Sequence, residues 1–238
     1  MRRLDDRPRH LQIAADLRAK ILSGDLTEKL PPFKRLQEIY DTSNNTTQRA
    51  VALLKAEGFV EGQQGKALLI RAKRVEIIDA TPYFEPAVTH VRYVMLHIGP
   101  DRPPADAARN LGLAAEEAAI LRKRLTIRDN IPIELSWSYY PTPIATGSPL
   151  ERPQRIRGGA PTALADLGLL QHEFVDEIQV RQPTSEELEA LELPAGIPVM
   201  RTLRTISTED GTVVEVVVMV KGGHLYGMRY RQTLPPIG

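Results

Sequence analysis

Asp41-Thr42-Ser43-Asn44-Asn45-Thr46-Thr47-Gln48-Arg49-Ala50-Val51-Ala52-Leu53-Leu54-Lys55-Ala56-Glu57-Gly58-Phe59-Val60 decides how the first third of the chain folds. Asp41 to Asn45 clusters residues that make turns and cap helices, because their short polar side chains bond nearby backbone N–H groups. Thr47, Ala50, Val51 and Leu54 then recur at i, i+3, i+4 and i+7, drawing one buried stripe on a helix that Gly58 closes. Working outward, Leu11, Ile13, Ala14, Leu17, Ile21 and Leu22 mark a helix over Arg9 to Ser23, stopped by Gly24. Leu30-Pro31-Pro32 leads into a shorter helix, Phe33 to Tyr40, with Leu36 and Ile39 inward. Downstream, Phe59-Val60-Glu61 and Ala67-Leu68-Leu69-Ile70 read as two short strands around a glycine-containing loop.

Three helices and a small hairpin is the layout of a winged helix-turn-helix. The wording is more specific than the order. Leu30-Pro31, Leu36, Tyr40, Ser43, Thr46, Arg49-Ala50, Leu54, Glu57-Gly58-Phe59-Val60 and Gln64-Gly65-Lys66 resemble the DNA-binding domain of the GntR family over about residues 8–71. A third helix lying in the major groove shows its first turn and outer face to base edges. That face carries Asn44, Asn45 and Gln48, whose amides pair with adenine, and Thr46, which reaches a phosphate or a thymine methyl. Lys34, Arg35, Arg49 and Lys66 supply phosphate neutralisation, with Gln64 and Gly65 in the wing. Capping is the competing reading for Ser43 and Asn44; it does not also account for Asn45 and Gln48. The family commonly has arginine at the positions of Asn44 and Gln48 and a Ser-Glu-Arg run where this chain has Pro32-Phe33-Lys34. The resemblance therefore implies the fold while leaving the operator open, and the amides favour contacted A·T pairs.

The 238 residues suffice for two domains, and their composition is that of an ordinary globular protein. The net charge of +1 hides an asymmetry. Residues 1–74 hold 15 basic and 9 acidic residues, a balance of +6; the remainder holds 16 and 21, a balance of −5. A basic head on an acidic body concentrates phosphate attraction in one segment. Cysteine is absent, which excludes disulfides, thiolate catalysis and cysteine-ligated metal. His10, His90, His97, His172 and His224 have no metal-like spacing, and neither a signal peptide nor an apolar membrane span is legible, so a cytoplasmic, nucleoid-associated protein without cofactor is expected.

Residues 72–90 mix charge and proline as a linker does, with one strand at Val75 to Ile78. From 91 to 238 the spacing predicts an α+β domain around an antiparallel sheet. Its strands fall at 91–98, 120–128, 131–140, 174–181, 199–208, 212–221 and 229–231, and its helices at 105–111, 162–167 and 185–191. Leu111-Gly112-Leu113, Arg122-x-Arg124, Asp129-x-x-Pro132, Ser138-Tyr139-Tyr140-Pro141 and Arg181-x-Pro183-Thr184-x-x-Glu187 resemble the UTRA domain of the HutC-like branch of GntR regulators, from about 88 to 233. That resemblance implies a chorismate-lyase-like fold, ligand sensing in place of catalysis, and a homodimer.

A three-residue loop closed by Asn130 would set Arg124 opposite Glu134 and Arg122 opposite Ser136; a two-residue loop would set the arginines beside Leu135 and Trp137. The first register gathers guanidiniums, a carboxylate and a hydroxyl on one face, and a solvated face with surface ion pairs is the plain alternative. The resemblance implies that Arg122, Arg124, Glu134 and Glu215 hold a small effector, often anionic or sugar-like, with Ser138, Arg181 and Tyr226 as further candidates. Trp137 and Tyr139-Tyr140 read as packing. Double-stranded operator DNA and a small molecule are the expected partners. A chain with no effector, and an enzyme using the lyase-like fold, are the competing functions.

Overall fold

The computed structural model describes residues 6–62, 67–70, 76–79, 91–114, 116–193, 196–224 and 226–230. The chain forms two compact units, Met1–Ile78 with Pro194–Ile197 and His224–Gly227, and Asp79–Leu193 with Pro198–Gly223 and Met228–Gly238.

In the first unit, helices α1 (Arg9–Ser23), α2 (Phe33–Tyr40) and α3 (Asn44–Ala56) follow the expected periodicity. Their stripes meet in one core of Ile13, Ala14, Leu17, Leu30, Leu36, Ala50, Val51 and Leu54, closed by Phe59, Val60 and Leu68. Burying each large side chain contributes about 1.5–3 kcal/mol. Ile39 departs from the expectation, being 46% exposed. Helix α2 is only two turns long, so a single stripe through Leu36 reaches the core. The hairpin strands β1 (Val60–Glu61) and β2 (Leu69–Ile70) are shorter than predicted. They are reinforced from the α1–α2 connection: Leu30 N–H donates to Leu68 O at 2.9 Å and Ile70 N–H to Glu28 O at 2.8 Å. Those non-local partners were invisible to local spacing.

In the second unit, β4 (Val91–Asp101), β5 (Ala119–Arg128), β6 (Ile131–Tyr140), β7 (Glu173–Arg181), β8 (Val199–Ser207) and β9 (Val213–Gly222) form an antiparallel sheet in the order β4-β5-β6-β9-β8-β7. Helices α4 (Ala105–Asn110) and α7 (Ser185–Ala190) belong with one face, where Ala107, Leu121, Leu135, Tyr139, Leu191, Leu203 and Val218 pack. Helices α5 (Thr142–Ala145) and α6 (Gly159–Asp166) belong with the other, where Ile120, Tyr140, Ala145, Leu150, Leu164, Ile206 and Val217 pack. Alternation along each strand supplies both faces, as a sheet covered on two sides requires. Helix α5, which opens at Pro141 and carries Pro143 in its first turn, was not predicted.

The strand β3 (Glu76–Asp79) pairs with β10 (Tyr226–Arg229) in a separate two-stranded sheet. The last strand therefore lies earlier than the expected 229–231. The rest of the expected linker, 72–75 and 80–90, lies outside the described residues.

Candidate nucleic-acid interface and ligand pocket

Asp41 ends α2 in the left-handed conformation (φ 43°), its N–H bonded to Gln37 O. Two residues later Ser43 caps α3, its hydroxyl accepting from Thr46 N–H at 3.3 Å, while the buried Thr47 donates Oγ1–H to Ser43 O at 3.1 Å. This tight turn fixes the angle between the two helices. Asn44, Asn45, Gln48 and Arg49 are exposed on the outer face of α3, and Asn44 Oδ1 accepts a long bond from Gln37 Nε2 at 3.4 Å. Lys34 and Arg35 are exposed on α2, Arg35 paired with Glu38 at 3.0 Å. Gln64, Gly65 and Lys66 lie outside the described residues.

The frame behind that surface is cross-braced. Arg18 grips Glu57 with two bonds of 2.7 and 2.5 Å, joining α1 to the end of α3. Tyr40 donates to Asp16 at 2.5 Å, and Lys20 pairs with the same carboxylate at 2.8 Å. Burial, then the bond to Asp16, pushes the Tyr40 phenol up to about 12. Lys55 Nζ donates to Gly62 O at 2.8 Å, tying α3 to the start of the wing.

In the second unit the β5–β6 turn is the two-residue alternative, but beyond it the ladder keeps neither expected register. Asp129 (φ 50°) and Asn130 (φ 64°) are both left-handed, as a two-residue mirror-image turn requires. The ladder starts with Arg128 opposite Ile131 and Ile127 opposite Pro132, then shifts by one, with Glu134 opposite Thr126, Ser136 opposite Arg124 and Ser138 opposite Arg122. Ile133 is the extra residue. The shift falls where Pro132, having no N–H, interrupts the ladder. Arg122, Arg124, Thr126, Glu134, Ser136 and Ser138 nevertheless share a face, and the β6–β9 and β8–β9 registers put Glu215 and Lys221 on it as well.

The candidates have different surroundings on that face. Arg122 is buried, with Nη1 donating to Leu150 O and Arg152 O at 2.8 Å and Nη2 to Gln154 O at 3.3 Å. Burial lowers its pKa. Glu215 is fully buried and accepts from Tyr140 Oη–H at 2.7 Å and Gln171 Nε2 at 3.4 Å. Glu134 forms an ion pair with Lys221 and a longer one, 4.0 Å, with Arg124, whose guanidinium lies 5.0 Å from the Tyr93 ring centroid. Arg124 Nε and Thr126 Oγ1 are buried without a hydrogen-bond partner. Arg181 is on the opposite face, held by Glu187 through bonds of 2.7 and 2.6 Å. Tyr226 is buried on β10, outside the six-stranded sheet. Among the described residues no group of His, Asp and Glu is placed to hold a metal. No described helix is long and apolar enough to cross a membrane.

Residues 9–70 match the model of the bacterial regulatory proteins of the gntR family, and residues 87–226 match the UTRA domain. The chain belongs to the GntR family, in the branch that carries a UTRA domain. It is a transcriptional regulator whose winged helix-turn-helix binds DNA. An HTH-type transcriptional regulator of Rhizobium meliloti is 30% identical over 86% of each chain. Another, from Streptomyces coelicolor, is 27% identical over 96% of this chain and 94% of its own. Both are named regulators, not enzymes. Among solved structures, a GntR-family transcriptional regulator aligns over 97% of this chain and 99% of its own (TM-score 0.65, 23% identity). PhnF from Mycobacterium smegmatis aligns over 94% and 100% (TM-score 0.57, 16% identity). These structures share the fold.

For this GntR regulator, sequence reasoning passed over Thr126 and Lys221. Thr126 was legible from alternation with Arg122 and Arg124 on one strand. The Lys221–Glu134 pair was not, because it needs β9 beside β6, an adjacency that skips two strands.

Proposed function

We propose that this chain is a homodimeric repressor whose operator affinity changes when a small anionic or polar molecule binds the second unit. The observation that carries the reading is the pair of buried, unpartnered polar atoms, Arg124 Nε and Thr126 Oγ1, beside Glu134. A buried donor left unmade costs about 1–3 kcal/mol, and a ligand oxygen placed between them removes that cost. Arg124 and Glu134 lead this set; Ser138 and Glu215 share their face. Arg122, spent on three carbonyls, shapes the wall. On the DNA side, Asn44, Asn45 and Gln48 read base edges while Lys34, Arg35, Arg49 and Lys66, with the Gln64-Gly65 backbone, hold phosphates.

The test is selection of the operator from random DNA with purified protein, followed by release of that DNA across a panel of metabolites. Release by an anionic metabolite that loses effect in Arg124→Gln supports the reading. A panel in which nothing shifts either operator affinity or melting temperature overturns effector control and leaves a ligand-independent repressor.

A further inference from the structure

The sheet face that carries α4 and α7 lies behind the Arg124 set, and it holds a cavity of about 350 Å³. That is within the range of small-molecule sites, about 300–1,000 Å³. Strand register builds it. His97 on β4 is opposite Lys123 on β5, and Lys123 is opposite Trp137 on β6, so the three side chains form one row across the sheet. One step along, Gly99 is opposite Leu121, and one further, Asp101 is opposite Ala119. Gly99 has φ 146°, and a Cβ on it would come 3.7 Å from His97 Nε2. His97 and Asp101 flank it on the same face, so any side chain at 99 would stand in the cavity between them. A glycine inside a strand leaves the backbone open to close approach by a ligand.

The lining specifies a charge. Leu121 is buried and Trp137 half-buried, while Asp101 and Glu186 are exposed at the rim. Lys123 Nζ lies 5.4 Å from the Trp137 ring centroid and pairs with Glu186. The protein thus already holds one ammonium here between an aromatic ring and a carboxylate, the arrangement that binds organic cations. Asp101 accepts from the Arg102 N–H at 2.9 Å and has no cation beside it among the described residues. Two carboxylates against one ammonium leave the lining with an excess negative charge when the imidazole is neutral. Tyr139 feels the same field: burial, then the Asp101 and Glu186 carboxylates, hold its phenol above the ordinary range. We propose that this cavity is a second binding site, for a small organic cation: a primary amine whose ammonium pairs with Asp101 and whose apolar body lies against Leu121 and Trp137. Arg124 points from β5 to the other face, so this site stands independently of the effector control proposed above.

Trp137 is the one tryptophan in the chain, so its emission reports on the cavity directly. Full-length protein in mildly alkaline buffer, titrated with benzylamine, is expected to show a saturable change in that emission. Phenylacetate, of similar shape and opposite charge, is expected to give none. Asp101→Asn is expected to weaken benzylamine about tenfold or more, as loss of a charge-assisted bond does. Lys123→Met, which removes the resident ammonium, is expected to tighten it, and this gain of affinity cannot come from a misfolded variant. Arg124→Gln is expected to leave it unchanged. No saturable response to benzylamine by either emission or titration calorimetry overturns the proposal. So does benzylamine binding that Asp101→Asn leaves intact, and so does preferential binding of phenylacetate that Lys123→Met abolishes, which would make the cavity an anion site.

Discussion

Glu187 is a carboxylate with 4% of its side chain exposed, and its setting decides what it contributes. Burial alone raises its pKa, but the Arg181 guanidinium and the Thr184 N–H more than offset this and hold it below the ordinary 4.5. A lowered folded pKa contributes stability that is present above the unfolded value and is lost as pH falls through the folded one. Urea unfolding is expected to show stability declining below about pH 4.5, with a flatter acid limb for Glu187→Gln. Arg181→Met leaves the carboxylate buried without its partner. Breaking such a pair costs about 3–5 kcal/mol when both ions are buried, and the partial exposure of Arg181 places the expected loss at or below the lower figure, readable as a shift in urea midpoint. Arg122 makes a different prediction. Its Nη atoms hold the carbonyls of Leu150, Arg152 and Gln154, so Arg122→Met is expected to speed hydrogen exchange of amides in 148–155 while exchange in β8 stays unchanged.

Helix α3 joins two demands in one element: its inner stripe is core and its outer face is the one we propose meets DNA. Thr47, Ala50, Val51 and Leu54 are buried, and Asn44, Asn45, Gln48 and Arg49 are exposed. Ser43→Ala removes the hydroxyl that accepts from Thr46 N–H, and loss of such a cap costs about 1 kcal/mol. Thermal unfolding of the first unit and operator affinity are both expected to fall in that variant. Asn44→Arg and Gln48→Arg address reading alone: binding-site selection is expected to move preference from A·T toward G·C at the contacted positions. Unchanged preference in both would show that the amides do not read bases. This helix was fully legible in the sequence because capping and period act locally. The bulge at Ile133 was not, since the Asp129-Asn130 turn signal sets where a hairpin starts but not how a proline two residues on disturbs its ladder.

Across the whole molecule charge divides into a basic head and an acidic body. Phosphate neutralisation releases counterions, so the logarithm of affinity falls with the logarithm of salt by about 0.9 per phosphate contact. Lys34→Ala and Arg49→Ala are each expected to reduce that slope by about 1 and to weaken all sequences alike, measured by fluorescence anisotropy. Under the proposed effector control the coupling is reciprocal, so a molecule that releases DNA is expected to bind the DNA complex more weakly by the same factor. The sequence by itself determined the helix-turn-helix and the strands of the six-stranded sheet, because periodicity and turn chemistry act over a few residues; it left open which β6 residues share a face with Arg124, and the bulge at Ile133 decided that. Tertiary structure alone decided that Arg122 is spent on loop carbonyls, that Arg181 lies on the far face with Glu187, and that Lys221 meets Glu134. Each of these contacts joins segments distant in sequence or depends on which neighbour a strand selects, and that choice is made by burial of the whole sheet.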